Sequence, residues 1–271
     1  MTVETRVCEI CGSTHARRIE KFSISPWPVV ACETCGFVYL RTVPGYEALV
    51  ETYAWEKTFA EEKARRKARS WSRFDQATRW RLRFGKSSDV ASRAGTLGRS
   101  GRVLEVGCGG SCRLHEGVTP YGIEISAALA ERSRPQFQAR GGDVVCAPAT
   151  EGLDQFEDGF FDSILMRSYL EHEQKPREVL TKAFRKLRPG GTIFARVPNF
   201  GSVNRHVTGA KWCGFRFPDH VNYFTDSSLK ALSSSIGFSY RRKNWASLFD
   251  DNLIVELRKP AGGSQEMRAR A

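Results

Sequence analysis

Long apolar runs are missing from this 271-residue chain. No stretch approaches the roughly 18 consecutive apolar residues that a membrane-spanning helix needs. The first residues, MTVETRVCEICGS, hold no apolar core of a secretory signal. The expectation is a soluble, cytoplasmic protein with no membrane span. No internal repeat is visible, so the chain does not read as a repeat array. Acids are in short supply: 30 Asp and Glu stand against 42 Lys and Arg, for a formal net charge of +12. The apolar fraction of 41% is ordinary. The length allows one or two domains with a real core.

Cysteine is plentiful. There are eight, many for a reducing compartment, and spacing accounts for four of them. Cys8-x2-Cys11 and Cys32-x2-Cys35 are two knuckles separated by 20 residues, each followed by a glycine, Gly12 and Gly36. That pattern reads as a tetrahedral zinc site. Two disulfides or four free thiols are the alternatives. Four thiolates fill the shell and leave no position for water or substrate, so the metal would be structural. Residues 1–45, with strand-like runs PVVAC and GFVYL, read as a small zinc ribbon. Cys108, Cys112, Cys146 and Cys213 have no ligand spacing.

The positive charge is concentrated. Residues 57–86 hold eleven Lys or Arg against three acids, with aromatics at 59, 71, 74, 80 and 84. Residues 46–98 read as a helical, basic linker or lid. Its aromatics would pack on a neighbouring domain, or its basic face would meet an anionic partner such as a phosphate-bearing substrate or RNA.

From residue 102 the pattern changes to strands alternating with helices, expected near 102–106, 119–124, 142–146, 161–166 and 191–197. Such alternation argues for an α/β fold with a parallel sheet. TDSSLKALSSSIGF, from Thr225, reads as a helix with Thr225 or Asp226 as N-cap and Gly237 as its stop. FSYRRKNW and NLIVELRK read as a closing antiparallel pair, and residues 261–271 as a disordered tail. VLEVGCGGS (103–111) and YGIEIS (121–126) have the layout of a nucleotide-binding βαβ unit: apolar run, Glu105, glycine turn, apolar run, Glu124. The third glycine of the dinucleotide fingerprint G-x-G-x-x-G is lacking. Only 17 residues separate Gly107 from Glu124, so the helix between them (SCRLHEG) must be short.

The form EVGCGG resembles motif I of class I S-adenosylmethionine-dependent methyltransferases. FEDGFFDSILM (156–166), the LEH of 170–172, LRPGG (187–191) and VPN (197–199) continue the resemblance, to the ubiquinone-biosynthesis O-methyltransferase type, over roughly residues 100–258. The resemblance implies a Rossmann-like seven-stranded methyltransferase sheet over 99–260. It also implies S-adenosylmethionine as cofactor. Gly107, Gly109 and Gly110 would pass under the methionine part, and Glu105 would hold the amino end. Glu124 would chelate the ribose hydroxyls, with Ile125 against adenine. Thr150 and Glu151 would lie in the adenine clasp, where the family often has an acid at a position near Ala149. Arg167 and Ser168 would border the methyl group.

Methyl transfer to a hydroxyl gains from a general base. His172 and His220 are the candidates, each with a purely structural alternative. Trp212, Phe215, Phe217, Tyr223 and Phe224 around His220 suit an acceptor pocket or lid, and Asn199, Asn204 and Arg205 could reach a substrate. The favoured function is methyl transfer to a hydroxyl or amine of a small-molecule or sugar-type acceptor, an anionic one included. An RNA methyltransferase is the alternative, although the N/D-P-P-Y/F motif is absent. A non-catalytic zinc-ribbon adaptor is the third reading.

Overall fold

The computed structural model describes residues 3–45, 101–244 and 250–262. The basic segment expected to be helical, 46–98, lies outside the described residues, as do 263–271 of the expected tail.

The larger sheet has seven strands. In chain order they are β6 (Arg102–Val106), β7 (Thr119–Glu124), β8 (Asp143–Cys146), β9 (Phe161–Arg167), β10 (Leu187–Pro198), β12 (Ser239–Arg242) and β13 (Asn252–Arg258). Their spatial order is β12-β13-β10-β9-β6-β7-β8. The strands β6 to β10 pair in parallel. Only β13 runs against them, paired antiparallel with β10 on one side and β12 on the other. This is the Rossmann-like sheet that the sequence implied. The chain steps from β6 outward to β7 and β8, then returns to place β9 on the other side of β6. The switch point therefore lies between β6 and β9, and ligands of open α/β sheets bind at the carboxyl ends there.

Both faces of the central strands are buried, which is why they read as continuous apolar runs. Helices α1 (Ala127–Gln138), α2 (Ala149–Asp154), α3 (Pro176–Lys186), α4 (Val203–Thr208) and α5 (Asp226–Ile236) connect or cover them. In α3, Pro176 sits in the first turn, and Val179, Leu180 and Ala183 form the buried stripe. Thr225 is the N-cap of α5, in a reciprocal capping box with Ser228, and Gly237 ends the helix at φ 112°.

Two expectations are corrected. The fifth parallel strand starts at Leu187 rather than 191, because Leu187 already pairs with Phe161 before the register shifts across the PGG bend to Thr192. No helix follows β6: residues 107–118 are turns and bends. So short a helix is marginal by itself, and the carbonyls here have another donor. Arg140 donates to Leu114 O at 3.0 Å, to Val118 O at 3.1 Å and also to His115 O.

The N-terminal residues carry β1 (Val3–Thr5), β2 (Ala16–Arg18), β3 (Val29–Cys32), β4 (Val38–Leu40) and β5 (Thr42–Pro44). Strands β1 and β5 pair with each other. The second sheet runs β11-β4-β3-β2, and its outer strand β11 (Asn222–Tyr223) comes from the far end of the chain. One aromatic cluster joins the two regions: Phe22, Trp27, Val29, Leu40 and Val43 pack with Phe200, Trp212, Phe215 and Tyr223. Phe37 lies 5.3 Å from Phe224, centroid to centroid.

Candidate functional site

The glycine turn leaves β6 at Gly107. Gly107 and Gly109 have φ near +70°, a region that L side chains rarely enter. The amide of Gly107 donates to Ile123 O at 2.8 Å. The buried carboxylate of Glu124, at the end of β7, staples the turn from the other side. Its Oε2 accepts from Gly109 N at 2.8 Å and its Oε1 from Ser126 N at 3.0 Å. A carboxylate offers about four lone-pair directions, so two remain for further donors. Ser126 caps α1 by accepting from Leu129 N. Gly110 has little room: a Cβ there would stand 3.0 Å from the Leu129 side chain. Ile125 is half-buried beside the crevice. Cys108 is buried, and burial pushes its thiol up to about 12, which makes it a packing group.

Glu105 is buried on the opposite side of the switch point. Its Oε1 accepts from Arg167 Nε at 3.0 Å and from Arg167 Nη2, across the gap between β6 and β9. Its Oε2 is buried and has no partner. Burial raises its pKa, opposed by the Arg167 charge. Ser168 follows at φ 50°, the only described residue other than glycine with positive φ, and its hydroxyl accepts from Arg196 Nη2 at 2.9 Å. Such strain marks loops at functional sites. The next residue, Tyr169, covers the glycine turn: a Cβ on Gly107 would meet its ring at 3.2 Å. Thr150 and Glu151, expected in an adenine clasp, lie in the first turn of α2. There Thr150 O accepts from Lys182 Nζ at 2.9 Å, and Glu151 is exposed.

The loops after β9 and β10 bring His172 and His220 together. Their rings are 4.6 Å apart and perpendicular. His172 Nδ1 lies 2.9 Å from Asp219 O, and His220 Nδ1 lies 2.8 Å from Gly214 O. A carbonyl can only accept, so each ring carries its proton on Nδ1 and its lone pair on Nε2. Withdrawal from water, with Arg216 adding to it, lowers the His172 pKa to about 4. Glu171 completes the group, with ligand atoms of the three residues within 4.8 Å of one another. Its side chain is buried, Oε2 has no partner, and burial raises its pKa to about 8 against the pull of Arg196 and Arg216.

These shifts have opposite consequences for stability. Between about 4 and 6.5 the folded protein lacks a proton on His172 that the unfolded chain holds, so stability rises with pH. Between 4.5 and about 8 the folded protein holds a proton on Glu171 that the unfolded chain lacks, so stability falls with pH. Above pH 6.5 only the Glu171 contribution remains of the two. Glu171→Gln is expected to flatten the decline in melting temperature between pH 6.5 and 8; equal slopes for the variant and the parent would show that Glu171 is ionised in the fold.

The segment between β10 and α5 forms one wall of this region. Asp251, before β13, ties it down by accepting from Ser202 Oγ at 3.0 Å, Trp212 Nε1 at 3.2 Å and Asn204 Nδ2 at 3.2 Å. Asn199 and Arg205 bond within the segment, to Gly201 N and Phe200 O. Asn199, Asn204 and Arg205 therefore hold the wall in shape. Glu171 adjoins His172 in the sequence, so its place was legible; Tyr169 had no signal there.

The four N-terminal thiols also converge. Cys8 Sγ is 3.4 Å from Cys35 Sγ, and Cys11 Sγ is 3.5 Å from Cys32 Sγ. All four lie within 4.8 Å of one another. The S–S bond of a disulfide is about 2.05 Å, so these are not disulfides. Thiolates about 2.3 Å from a central ion would be separated by about 3.8 Å, which fits this cluster. The two knuckles are alike: Gly12 N donates to Cys8 O at 2.8 Å and Gly36 N to Cys32 O at 2.9 Å.

Comparison with known proteins places this geometry. Residues 55–243 match the family described as "Methyltransferase domain". The ubiquinone biosynthesis O-methyltransferase of Pseudomonas fluorescens is 29% identical over 169 residues, 56% of this chain and 69% of that protein. That of Pseudomonas entomophila is 32% identical over 157 residues, 52% of this chain and 65% of its own length. The chain thus spans about two thirds of the length of these two relatives, and about half of others. Among solved structures, a possible histamine N-methyltransferase from Thermotoga maritima is similar with TM-score 0.49 and 20% identity, covering 69% of this chain and 96% of that one. An S-adenosylmethionine-dependent methyltransferase from Archaeoglobus fulgidus is similar with TM-score 0.48 and 16% identity, covering 68% and 94%.

Proposed function

Since this chain belongs to the methyltransferase domain family and is a class I S-adenosylmethionine-dependent methyltransferase, we propose that it methylates a hydroxyl or amine of a small-molecule or sugar-type acceptor. One observation carries this reading. The glycine crevice and the His172–His220 pair lie at the same carboxyl edge of the sheet, linked through Tyr169, which packs on Gly107 two residues after Arg167.

When bound, S-adenosylmethionine supplies a methyl group on a cationic sulfur that is already activated for displacement. The protein's share is then alignment, exclusion of water and management of one proton. Glu124 has the spare acceptor capacity to receive the two ribose hydroxyls. Gly109, with nothing within 4 Å of where a Cβ would stand, leaves the turn open to close approach between the tighter Gly107 and Gly110, and Ile125 offers an apolar face to the adenine. The partnerless Oε2 of Glu105 is an acceptor facing no donor, and the cofactor's ammonium would satisfy it. The neutral His172 ring is free to take the acceptor's proton at Nε2, with His220 as its neighbour. The Cys8, Cys11, Cys32 and Cys35 cluster would hold structural zinc.

A screen of phenolic, amino and sugar acceptors, read by release of demethylated cofactor, tests the reading. His220→Ala and His172→Ala are each expected to lower kcat about 100-fold, within the usual range for losing a general base, while cofactor affinity stays within about twofold. Turnover at the parent's rate in both variants would return the histidines to a packing role.

A further inference from the structure

The catalytic loops are fixed from the wrong end of the chain. Arg6 follows β1 and is only 7% exposed. Its guanidinium donates to three acceptors on two distant loops: Val221 O at 3.0 Å, Gln174 O at 2.8 Å and Asn222 Oδ1 at 2.8 Å. Asn222 passes the constraint on, donating from Nδ2 to Leu170 O at 2.8 Å and to Glu173 O at 2.6 Å. The amides of Val221 and Asn222 both donate to Glu171 O, at 2.8 and 3.1 Å. Strand β4 holds the same stretch, with Leu40 N donating to Val221 O at 2.9 Å. Gln174 also donates to Pro44 O, at 2.7 Å. Residues 170–174, which carry Glu171 and His172, and residues 220–222, which carry His220, are thus clamped to each other and to the N-terminal strands.

The cofactor crevice takes no hydrogen bond from this clamp. The amides of Gly107 and Gly109 bond to β7, and Glu124 bonds to Gly109, Ser126 and Ala147; Tyr169, packed on Gly107, borders both regions. A rigid planar fork can hold three acceptors in fixed directions, which an ammonium on a flexible stem cannot. A guanidinium buried this deeply has a large desolvation cost, which its bonds must offset.

We propose that Arg6 is a positioning residue for methyl transfer: it sets the distance between His172 and His220 from the N-terminal module, which makes that module part of the acceptor site. This rests on the reading of the two histidines as the transfer site. The consequence is a split between two properties. Disturbing Arg6 moves the acceptor side and leaves the cofactor side in place.

The test uses the full chain with Arg6→Ala and Arg6→Lys. Histidine ring signals by ¹⁵N-edited NMR report the site without any acceptor. In the parent, His172, flanked by Glu171, Arg216, Asp219 and His220, stays unprotonated down to about pH 4. In Arg6→Ala its titration is expected to move towards the ordinary 6.5 as the loops open to water. Turnover is expected to fall about 100-fold, the scale of a small misplacement of reacting groups. Cofactor affinity by calorimetry should stay within about twofold, and added guanidinium should restore part of the rate. Arg6→Lys keeps the charge and should lose turnover without regaining it on addition of guanidinium; it carries the same comparison if the alanine variant does not fold. Unchanged histidine signals and turnover, or cofactor affinity that falls in step with turnover, would overturn the proposal. Histidine signals that move while His172→Ala and His220→Ala keep full turnover would overturn the site reading and, with it, the catalytic role of Arg6.

Discussion

Glu124→Ala is expected to weaken S-adenosylmethionine binding by on the order of a hundredfold or more while the protein stays folded. Hydrogen bonds to a charged group contribute about 1.5–3 kcal/mol each. Two ribose hydroxyls on one carboxylate therefore amount to roughly 3–6 kcal/mol, and about 1.4 kcal/mol is a factor of ten. The variant also frees the amides of Gly109 and Ser126, which Glu124 holds at 2.8 and 3.0 Å. Both lie in connections at the carboxyl ends of β6 and β7, where water can replace a lost acceptor, so the fold should survive. Glu124→Gln keeps an acceptor for the turn and drops the charge, so it should fall between the two. Calorimetric titration with the cofactor, beside a thermal melt, decides the matter. Affinity equal to the parent's would show that the carboxylate serves the turn alone.

On the proposed zinc assignment, chelation at the four-cysteine cluster should have the widest structural effect. Structural thiolate zinc contributes on the order of 10 kcal/mol to folding of small modules. A shift of 1 kcal/mol moves the melting temperature of a chain this size by about 2–4 °C. Chelation, or Cys32→Ala, is therefore expected to lower it by at least about 10 °C. The loosening should not stop at residue 45. Strand β4 pairs with Asn222 and Tyr223, and Phe37 packs against Phe224. Amide exchange at 222–224 should rise together with that at 29–40, while β6 and β7 stay protected. Folded protein that contains no zinc would refute the metal assignment. Exchange confined to the first 45 residues would refute the coupling.

Much of the cofactor side was legible in the sequence because its information is local. An apolar run, a glycine turn and an acid at fixed spacing describe β6, the turn and the end of β7 almost without tertiary context. The same holds for α5, whose capping box and terminal glycine lie in one stretch of 14 residues. The rest of the site is non-local. Glu105 and Arg167 meet only because β9 returns to the flank of β6, which the strand sequence alone does not dictate. The pairing of His172 with His220 depends on two loops after different strands. Arg6 is one of 42 basic residues, and nothing near it in the chain shows that its partners lie at 174, 221 and 222. The turn after β6 falls between these cases: its shortness was readable from the spacing, but the donor that occupies its carbonyls, Arg140, sits beyond α1.

The aromatic cluster shared by the two ends of the chain has a practical consequence for anyone trimming this protein. A fragment begun after residue 45 would lose Phe22, Trp27, Val29, Leu40 and Val43, and with them the cover over Phe200, Trp212, Phe215 and Tyr223. Large uncovered apolar surface drives self-association. Such a truncation should be recovered as aggregate or inclusion material, and any apparent loss of activity in it would say nothing about chemistry.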